Sequence, residues 1–185
     1  MQTPNGRSAV EQLFGHPALA NGHLNHAWEA ANIVLARPAG WHLYYQDDNG
    51  PVPMSGIRIH RLLLDSFQEA MTDIWNRVRV EVKEAEGYDK TTQFYDDATR
   101  ARLHELRLDL TGGGYNFRPV TGGSGLSMHA YGIAIDWDPA HNPRGHSGKV
   151  TLPGWWFDIW KAHGWHDGRH FPTPDPMHVQ FATGV

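Results

Sequence analysis

The sequence has no cysteine, which excludes disulfides and thiolate metal sites. It also has no basic run, and a net charge of −4 with a pI near 6.3 argues against a nucleic-acid partner bound through its phosphates. Its longest apolar stretches fall well short of the roughly 20 residues of a membrane-spanning helix, so we expect no membrane insertion. Residues 1–7 lack the charged start and apolar core of a secretory signal. We therefore expect a product that stays in the cytoplasm as synthesised.

Two common hydrolase motifs are missing as well. No His-Glu-x-x-His helix is present, which removes the most frequent metalloprotease arrangement. Ser127 is not part of a Gly-x-Ser-x-Gly elbow, because His129 stands where the last glycine should be. A serine hydrolase is therefore disfavoured.

What is present fits a single domain with a sizeable core. The chain has 185 residues, 40% of them hydrophobic, with 20 glycines and eight tryptophans. This composition favours a loop-rich α+β domain over a helical bundle. We expect a mostly helical scaffold in residues 1–110, which covers a small antiparallel sheet, and the functional site in residues 111–185.

Local patterns predict three helices in the scaffold. Ser8 and Glu11 have the spacing of a capping box, which predicts a short helix over residues 8–14. Apolar residues recur at helical spacing over 59–80, the predicted main helix. A further helix is expected over residues 96–108. Residues 31–45 are β-branched and aromatic on both sides of a Pro-Ala-Gly break, which indicates a strand pair or a bent strand.

Two later segments alternate between apolar and polar residues, as strands with one buried face do. The first is residues 133–138, which would turn Asp136 away from the core. The second is residues 178–181, which would place His178 and Gln180 on one face. Pairing these strands would bring Asp136 and His178 together.

His129 precedes the first of these strands by a short glycine turn, so the same pairing would place it beside Asp136 and His178. Two imidazoles and a carboxylate form a common ligand set for zinc when one position stays open for water. In a chain with 13 histidines this triplet alone is weak evidence. Asp138 shares the predicted face of Asp136, but Pro139 follows it, and a turn role is as well supported as a role beside the metal.

The surroundings of the triplet make it specific. Residues 112–181 resemble the zinc D,D-peptidase family, which includes D-alanyl-D-alanine carboxypeptidases and dipeptidases and the L-alanyl-D-glutamate endopeptidases of phage lysis. The family pattern Ser-x-His-x-x-Gly-x-Ala-x-Asp is met in every fixed position of residues 127–136, and its acid-x-x-His is met by residues 175–178. Residues 1–110 resemble the family only in outline.

The resemblance implies a role for each residue. Zinc would be bound by His129, Asp136 and His178. Asp175 would be the general base, and an arginine at the place of Arg118 clamps substrate and steadies the oxyanion in the family. Ser127 would either bind the substrate backbone or cap the local turn.

The resemblance also implies a substrate, the peptide stem of bacterial peptidoglycan, with either the L-Ala-D-Glu or the D-Ala-D-Ala bond cleaved. A phage lysis enzyme is favoured, which would act on the wall or periplasm as a monomer and would need a holin for access. The alternative is a non-catalytic, zinc-containing protein that binds the wall or belongs to the virion. The roles of His163, His166 and His170 stay open, a second metal included.

Overall fold

A computed structural model describes residues 1–47, 49–123, 125–145 and 149–185. Its helices are α1 (Arg7–Phe14), α2 (His26–Asn32), α3 (Leu64–Glu86), α4 (Thr92–Glu105) and α5 (Gly154–Ala162). Its strands are β1 (Ile33–Ala36), β2 (Leu43–Asp47), β3 (Gly50–Met54), β4 (Ile57–His60), β5 (Leu110–Gly113), β6 (Ala134–Trp137), β7 (His166–Gly168) and β8 (Asp175–Gln180). Short 3-10 turns lie at Arg61–Leu63 and Met128–Tyr131.

The strands form two sheets. β1 and β4 pair with each other, and the other six strands form one sheet in the order β3-β2-β5-β6-β8-β7. Neighbours in the larger sheet are antiparallel except for β2 and β5, which run parallel. The predicted single α+β domain is confirmed. The proposed division at residue 110 stays a prediction, and β2 and β3 from the first part share a sheet with β6 and β8 from the second.

The main helix is α3, which buries one face along its length. Its buried side chains follow the spacing of three and four residues that the sequence shows: Phe67, Ala70, Met71, Ile74, Trp75, Val78 and Val82. The helix ends at Gly87, which adopts a φ of 85° that favours glycine. The predicted start at residue 59 is wrong. Ile59 pairs with Val34 in the small sheet, and this distant strand contact overrides the local helical pattern.

The start of α1 also differs from the prediction. The helix begins at Arg7 with Gly6 as its N-cap, and no side chain caps it, so the capping box at Ser8 and Glu11 is wrong. Gly6 is held by its N–H, which donates to the carbonyl of Thr183 at 2.7 Å. A contact with the far end of the chain thus sets where this helix begins.

Residues 31–45 form neither the strand pair nor the bent strand that the sequence predicts. Helix α2 continues to Asn32, after which β1 pairs with β4 and β2 pairs with β3 and β5. Helix α4 begins earlier than predicted, because the side chain of Thr91 accepts a hydrogen bond from the N–H of Phe94 and caps it.

Tryptophans fill the space between α3, α5 and the large sheet. Trp156 and Trp160 of α5 pack against Trp137 of β6, with ring centroids 6.0 and 5.8 Å apart, and Trp160 also contacts Phe67 of α3. All four rings are at most 1% exposed. No helix in the described ranges is both long and apolar enough to cross a membrane.

Candidate metal centre

His129 lies in the 3-10 turn that precedes β6. The hydroxyl of Ser127 accepts a hydrogen bond from the N–H of His129 at 3.3 Å and caps this turn. Gly132 ends the turn in the left-handed region with a φ of 69°. A Cβ at Gly132 would lie 2.7 Å from Ile33 and 2.8 Å from the backbone nitrogen of His60, so only glycine fits. Close packing against the small sheet therefore fixes the position of His129.

The other two ligand candidates lie on neighbouring strands. β6 and β8 pair in the register that sets Asp136 opposite His178 and Ile135 opposite Val179. Ile135 and Val179 are fully buried on the core side, which turns Asp136 and His178 to the other face. The juxtaposition expected from the alternation is thus present in the structure.

The three side chains converge on one point. His129 Nε2 lies 3.2 Å from His178 Nδ1 and 3.3 Å from Asp136 Oδ2, and His178 Nδ1 lies 2.9 Å from Asp136 Oδ1. Ligands about 2.0 Å from a tetrahedral zinc ion are separated by roughly 3.3 Å, so this spacing suits such an ion. Among the described residues, these three form the sole group of His, Cys, Asp or Glu with metal-binding spacing.

The far nitrogen of each imidazole already has a partner. His129 Nδ1 lies 2.7 Å from the carbonyl oxygen of Gly114, and His178 Nε2 lies 3.0 Å from Gln180 Oε1. Gln180 is oriented by its amide nitrogen, which donates to the carbonyl of Ala182 at 3.1 Å. An acceptor at the far nitrogen places the proton there and leaves the near nitrogen with a free lone pair. Both imidazoles therefore present an acceptor atom to the metal position.

Asp136 is ionised in this setting. Burial alone would raise the pKa of Asp136, but the close contacts of its carboxylate with the imidazoles of His129 and His178 outweigh burial and hold that pKa far below its usual range. In the tautomers that bind a metal, the donor set would be two imidazole nitrogens and a carboxylate oxygen, which fits a divalent ion of borderline softness.

Asp175 begins β8 and lines the same cavity as the three ligand candidates. Burial raises the pKa of Asp175, so its carboxyl group holds a proton more readily than an exposed aspartate does. Its Oδ1 is buried and has no hydrogen-bond partner in the described parts of the chain, whereas Oδ2 lies 3.7 Å from Arg144 Nε. A carboxylate of raised pKa that lines a cavity beside a metal position is suited to proton transfer.

Arg118 lines this cavity too, and its guanidinium makes no ion pair that the structure records among the described residues. Its Nη1 donates a long hydrogen bond of 3.4 Å to the carbonyl of Pro119. Ser127 lines the cavity while its hydroxyl caps the turn of His129. The turn-capping alternative for Ser127 is therefore present, and its contact with substrate stays a prediction, as do the roles of Arg118 and Asp175.

Asp138 does not face the open side, contrary to the expectation from alternation. β6 ends at Trp137, and Asp138 adopts a φ of 42° that turns its side chain inward, where it is fully buried. Its carboxylate accepts hydrogen bonds from His141 at 2.8 Å and from Asn142 at 3.3 Å. The turn role is the one that the structure supports.

The three later histidines lie apart from the triplet. His163 ends α5 and contacts Asp73 and Glu69 of α3 at 2.8 and 3.4 Å, which fastens these two helices together. His166 lies in β7, and His170 lines a separate surface cavity. No second metal-binding group includes them within the described residues.

Three residues at the site were not predicted to act there. Gln180 shares a strand face with His178, so the alternation could have indicated its contact. Arg7 and Arg144 line the cavity with Arg118, although they lie far from it in sequence. No local sequence pattern predicts that these two arginines line the cavity, because they reach it through the positions of α1 and of the loop after β6 in the fold.

Residues 121–181, about a third of the chain, match a sequence model of a family described as D-alanyl-D-alanine carboxypeptidase. The match confirms the resemblance to the zinc D,D-peptidases. It spans Ser127, His129, Asp136, Asp175 and His178 and stops short of Arg118. Neither curated proteins nor solved structures give a match. The matched segment and the candidate metal site together support a zinc-dependent peptidase.

Proposed function

We propose that the protein hydrolyses the peptide stems of bacterial peptidoglycan with zinc held by His129, Asp136 and His178. The observation that carries the metal assignment is the convergence of three ligand atoms 2.9 to 3.3 Å apart, each imidazole held by an acceptor at its far nitrogen. The family match supports the reaction class.

The proposed chemistry divides among the residues of the cavity. Zinc, when bound, supplies Lewis acidity and lowers the pKa of water toward neutrality. The carboxylate of Asp175 accepts the proton of the attacking water and returns it to the leaving amine. Arg118 donates hydrogen bonds to the carbonyl oxygen of the scissile bond, on which negative charge develops.

The charge of the cavity supports an anionic substrate. Arg7, Arg118 and Arg144 line it against two carboxylates, those of Asp136 and Asp175. One carboxylate belongs to the metal ligand set, and a bound zinc ion would add further positive charge. Peptidoglycan stems carry free carboxylates, which guanidinium groups bind through paired hydrogen bonds.

The test is digestion of purified peptidoglycan by the wild type, Asp175→Ala and a control, Asp158→Ala, which removes an exposed carboxylate from α5. Released amines and fragment masses are measured together with zinc content. We expect Asp175→Ala to keep zinc and lose about 10²- to 10⁴-fold in rate, the usual contribution of a general base, and Asp158→Ala to match the wild type. A zinc-loaded wild type that releases no amines would contradict the proposal and leave a non-catalytic wall-binding or virion role.

The biological setting that we propose is phage lysis, in which the enzyme reaches the wall from the cytoplasm through a holin pore. The support is the resemblance of residues 112–181 to a family that includes the endopeptidases of phage lysis. Addition of the protein to intact and to outer-membrane-permeabilised cells tests this setting. Lysis confined to permeabilised cells is expected, and permeabilised cells that stay intact would contradict it.

A further inference from the structure

Residues 118–127 contain two arms of backbone that pair with each other as a hairpin beside the candidate metal centre. The N–H of Ser127 donates to the carbonyl of Arg118 at 3.0 Å, and the N–H of Val120 donates to the carbonyl of Gly125 at 2.8 Å. Arg118 and Val120 line the cavity that contains the three ligand candidates. The position of the Arg118 guanidinium therefore depends on where this element, the 118–127 hairpin, is held.

Arg7 of α1 joins the 118–127 hairpin to the rest of the protein. Its Nη1 donates to the carbonyl of Leu126 at 2.9 Å, across 119 positions of sequence. Its guanidinium also lies against Gly125, where a Cβ would come within 3.2 Å of Nη2 and 3.4 Å of Cζ. In the described ranges, the structure records no second hydrogen bond from residues 119–126 to another element. Beyond the apolar packing of Leu126 on the core, the hairpin is thus held through Arg7.

Helix α1 gives Arg7 a fixed base. The N–H of Gly6 donates to the carbonyl of Thr183 at 2.7 Å, just beyond the end of β8. Val10 and Phe14 are 0% and 2% exposed and belong to the core. None of these contacts involves the side chain of Arg7. The helix should therefore keep its place when that side chain is shortened, and the loss would fall on the hairpin.

The metal ligand nearest to the hairpin is held independently of it. His129 is fixed by the carbonyl of Gly114, 2.7 Å from its Nδ1, and by the close packing at Gly132. Arg118 has no comparable support, because its hydrogen bond to the carbonyl of Pro119 stays within the hairpin. A displaced hairpin should therefore move the Arg118 guanidinium and leave the zinc ligands in place.

We propose that Arg7 is a positioning residue, which holds the 118–127 hairpin through the carbonyl of Leu126 so that Arg118 meets the carbonyl oxygen of the scissile bond. This inference rests on the proposed function, in which Arg118 stabilises the developing negative charge. Arg7 lies outside residues 121–181, which match the peptidase family, so the match assigns it no role. A misplacement of about 1 Å at a reacting centre can cost about 10²-fold in rate. With the packing of Leu126 retained, we expect a loss of about tenfold.

The experiment measures amine release from soluble fragments of purified peptidoglycan by the zinc-loaded wild type, Arg7→Ala, Arg7→Lys and Arg100→Ala. Arg100 is the matched control, a helical arginine that donates to the carbonyl of Gly40 at 2.8 Å outside the lining of this cavity. We expect Arg7→Ala to lower kcat about tenfold, with zinc content unchanged and KM within about threefold of the wild type. Arg7→Lys keeps a donor and should recover part of the loss, and Arg100→Ala should match the wild type. A rise in KM at unchanged kcat would overturn the inference, because Arg7 would then bind the substrate itself.

A double-mutant cycle tests whether Arg7 acts through Arg118. Adding Arg7→Ala to Arg118→Ala should change kcat by less than about twofold, and a full tenfold further loss would overturn the inference. Hydrogen exchange of the zinc-free protein tests the hairpin without any substrate. We expect faster exchange at the amides of Val120 and Ser127 in Arg7→Ala, and equal exchange would overturn the inference while the proposed function stands. A zinc-loaded wild type that releases no amines would overturn both.

Discussion

Replacing Gln180 with leucine should weaken zinc binding while the protein stays folded. Gln180 is 4% exposed, and its Oε1 accepts the Nε2 proton of His178 at 3.0 Å. Leucine has nearly the same volume and no acceptor. The Nε2–H of His178 would then be buried without a partner, at a cost of about 1 to 3 kcal/mol. A proton moved to Nδ1 would instead block the atom that faces Asp136 and His129.

Either route disfavours the imidazole form that binds a metal. Loss of such a supporting hydrogen bond typically lowers metal affinity by about 10- to 100-fold, which equals about 1.4 to 2.7 kcal/mol. Gln180→Glu keeps an acceptor at this position and should lose less affinity than Gln180→Leu. The matched control is Gln93→Leu, on the exposed surface of α4, which should bind zinc as the wild type does.

The assay is competition for zinc against a chromophoric chelator, with the unfolding midpoint of each apo protein measured in urea. A dissociation constant for Gln180→Leu equal to that of Gln93→Leu would refute the reasoning. So would equal losses in Gln180→Leu and Gln180→Glu, since these differ in the acceptor that the argument depends on.

Three further changes test other parts of the structure. A Cβ at Gly168 would lie 2.5 Å from the carbonyl oxygen of Asp175, so Gly168→Ala should displace this residue and lower kcat at unchanged zinc affinity; weakened zinc binding would contradict this. Burial lowers the pKa of His60 to about 4, and its imidazole donates to the carbonyl of Phe14. The folded protein therefore holds His60 in its neutral form. The free energy of unfolding is not reduced by His60 above about pH 6.5, and it falls by about 3 kcal/mol as the pH drops toward 4, because His60 binds a proton more readily in the unfolded chain. Urea unfolding of the wild type and His60→Gln should show this difference, and parallel pH profiles would contradict it. Trp160→Ala should lower the free energy of unfolding by about 3 to 5 kcal/mol in the same assay, and a loss below about 1 kcal/mol would contradict its core role.

The sequence predicts the ligand triplet well because its information is local. Alternation assigns the faces of residues 133–137 and 178–181 correctly and fails at Asp138, which lies beyond the end of β6. The starts of α1 and α3 are set by contacts between distant residues. Gly6 binds the carbonyl of Thr183, and Ile59 pairs with Val34, so no window of neighbouring residues contains the cause.

A cavity of about 400 Å³ beside His129 and Asp136 could not be predicted from the sequence, for the same reason. Leu35 and Tyr45 come from two strands that belong to different sheets, and both line this cavity together with Asp136 and the glycines of residues 112–114. The glycine run was visible in the sequence as a neighbour of Arg118. That these glycines line a cavity depends on the positions of β1 and β2 in the fold, which the residues of those strands do not specify.

The core and the metal centre impose one constraint on β6 and β8. Ile135, Trp137, Val179 and Phe181 are at most 1% exposed on the side opposite the ligands. A slip of either strand by one residue would expose these side chains and bury Asp136 or His178 in an apolar core. Burying an unpaired carboxylate costs several kcal/mol, so both strands are held in register by the same side chains that exclude water from the core. The ligand positions therefore follow from packing, which is available before any metal binds.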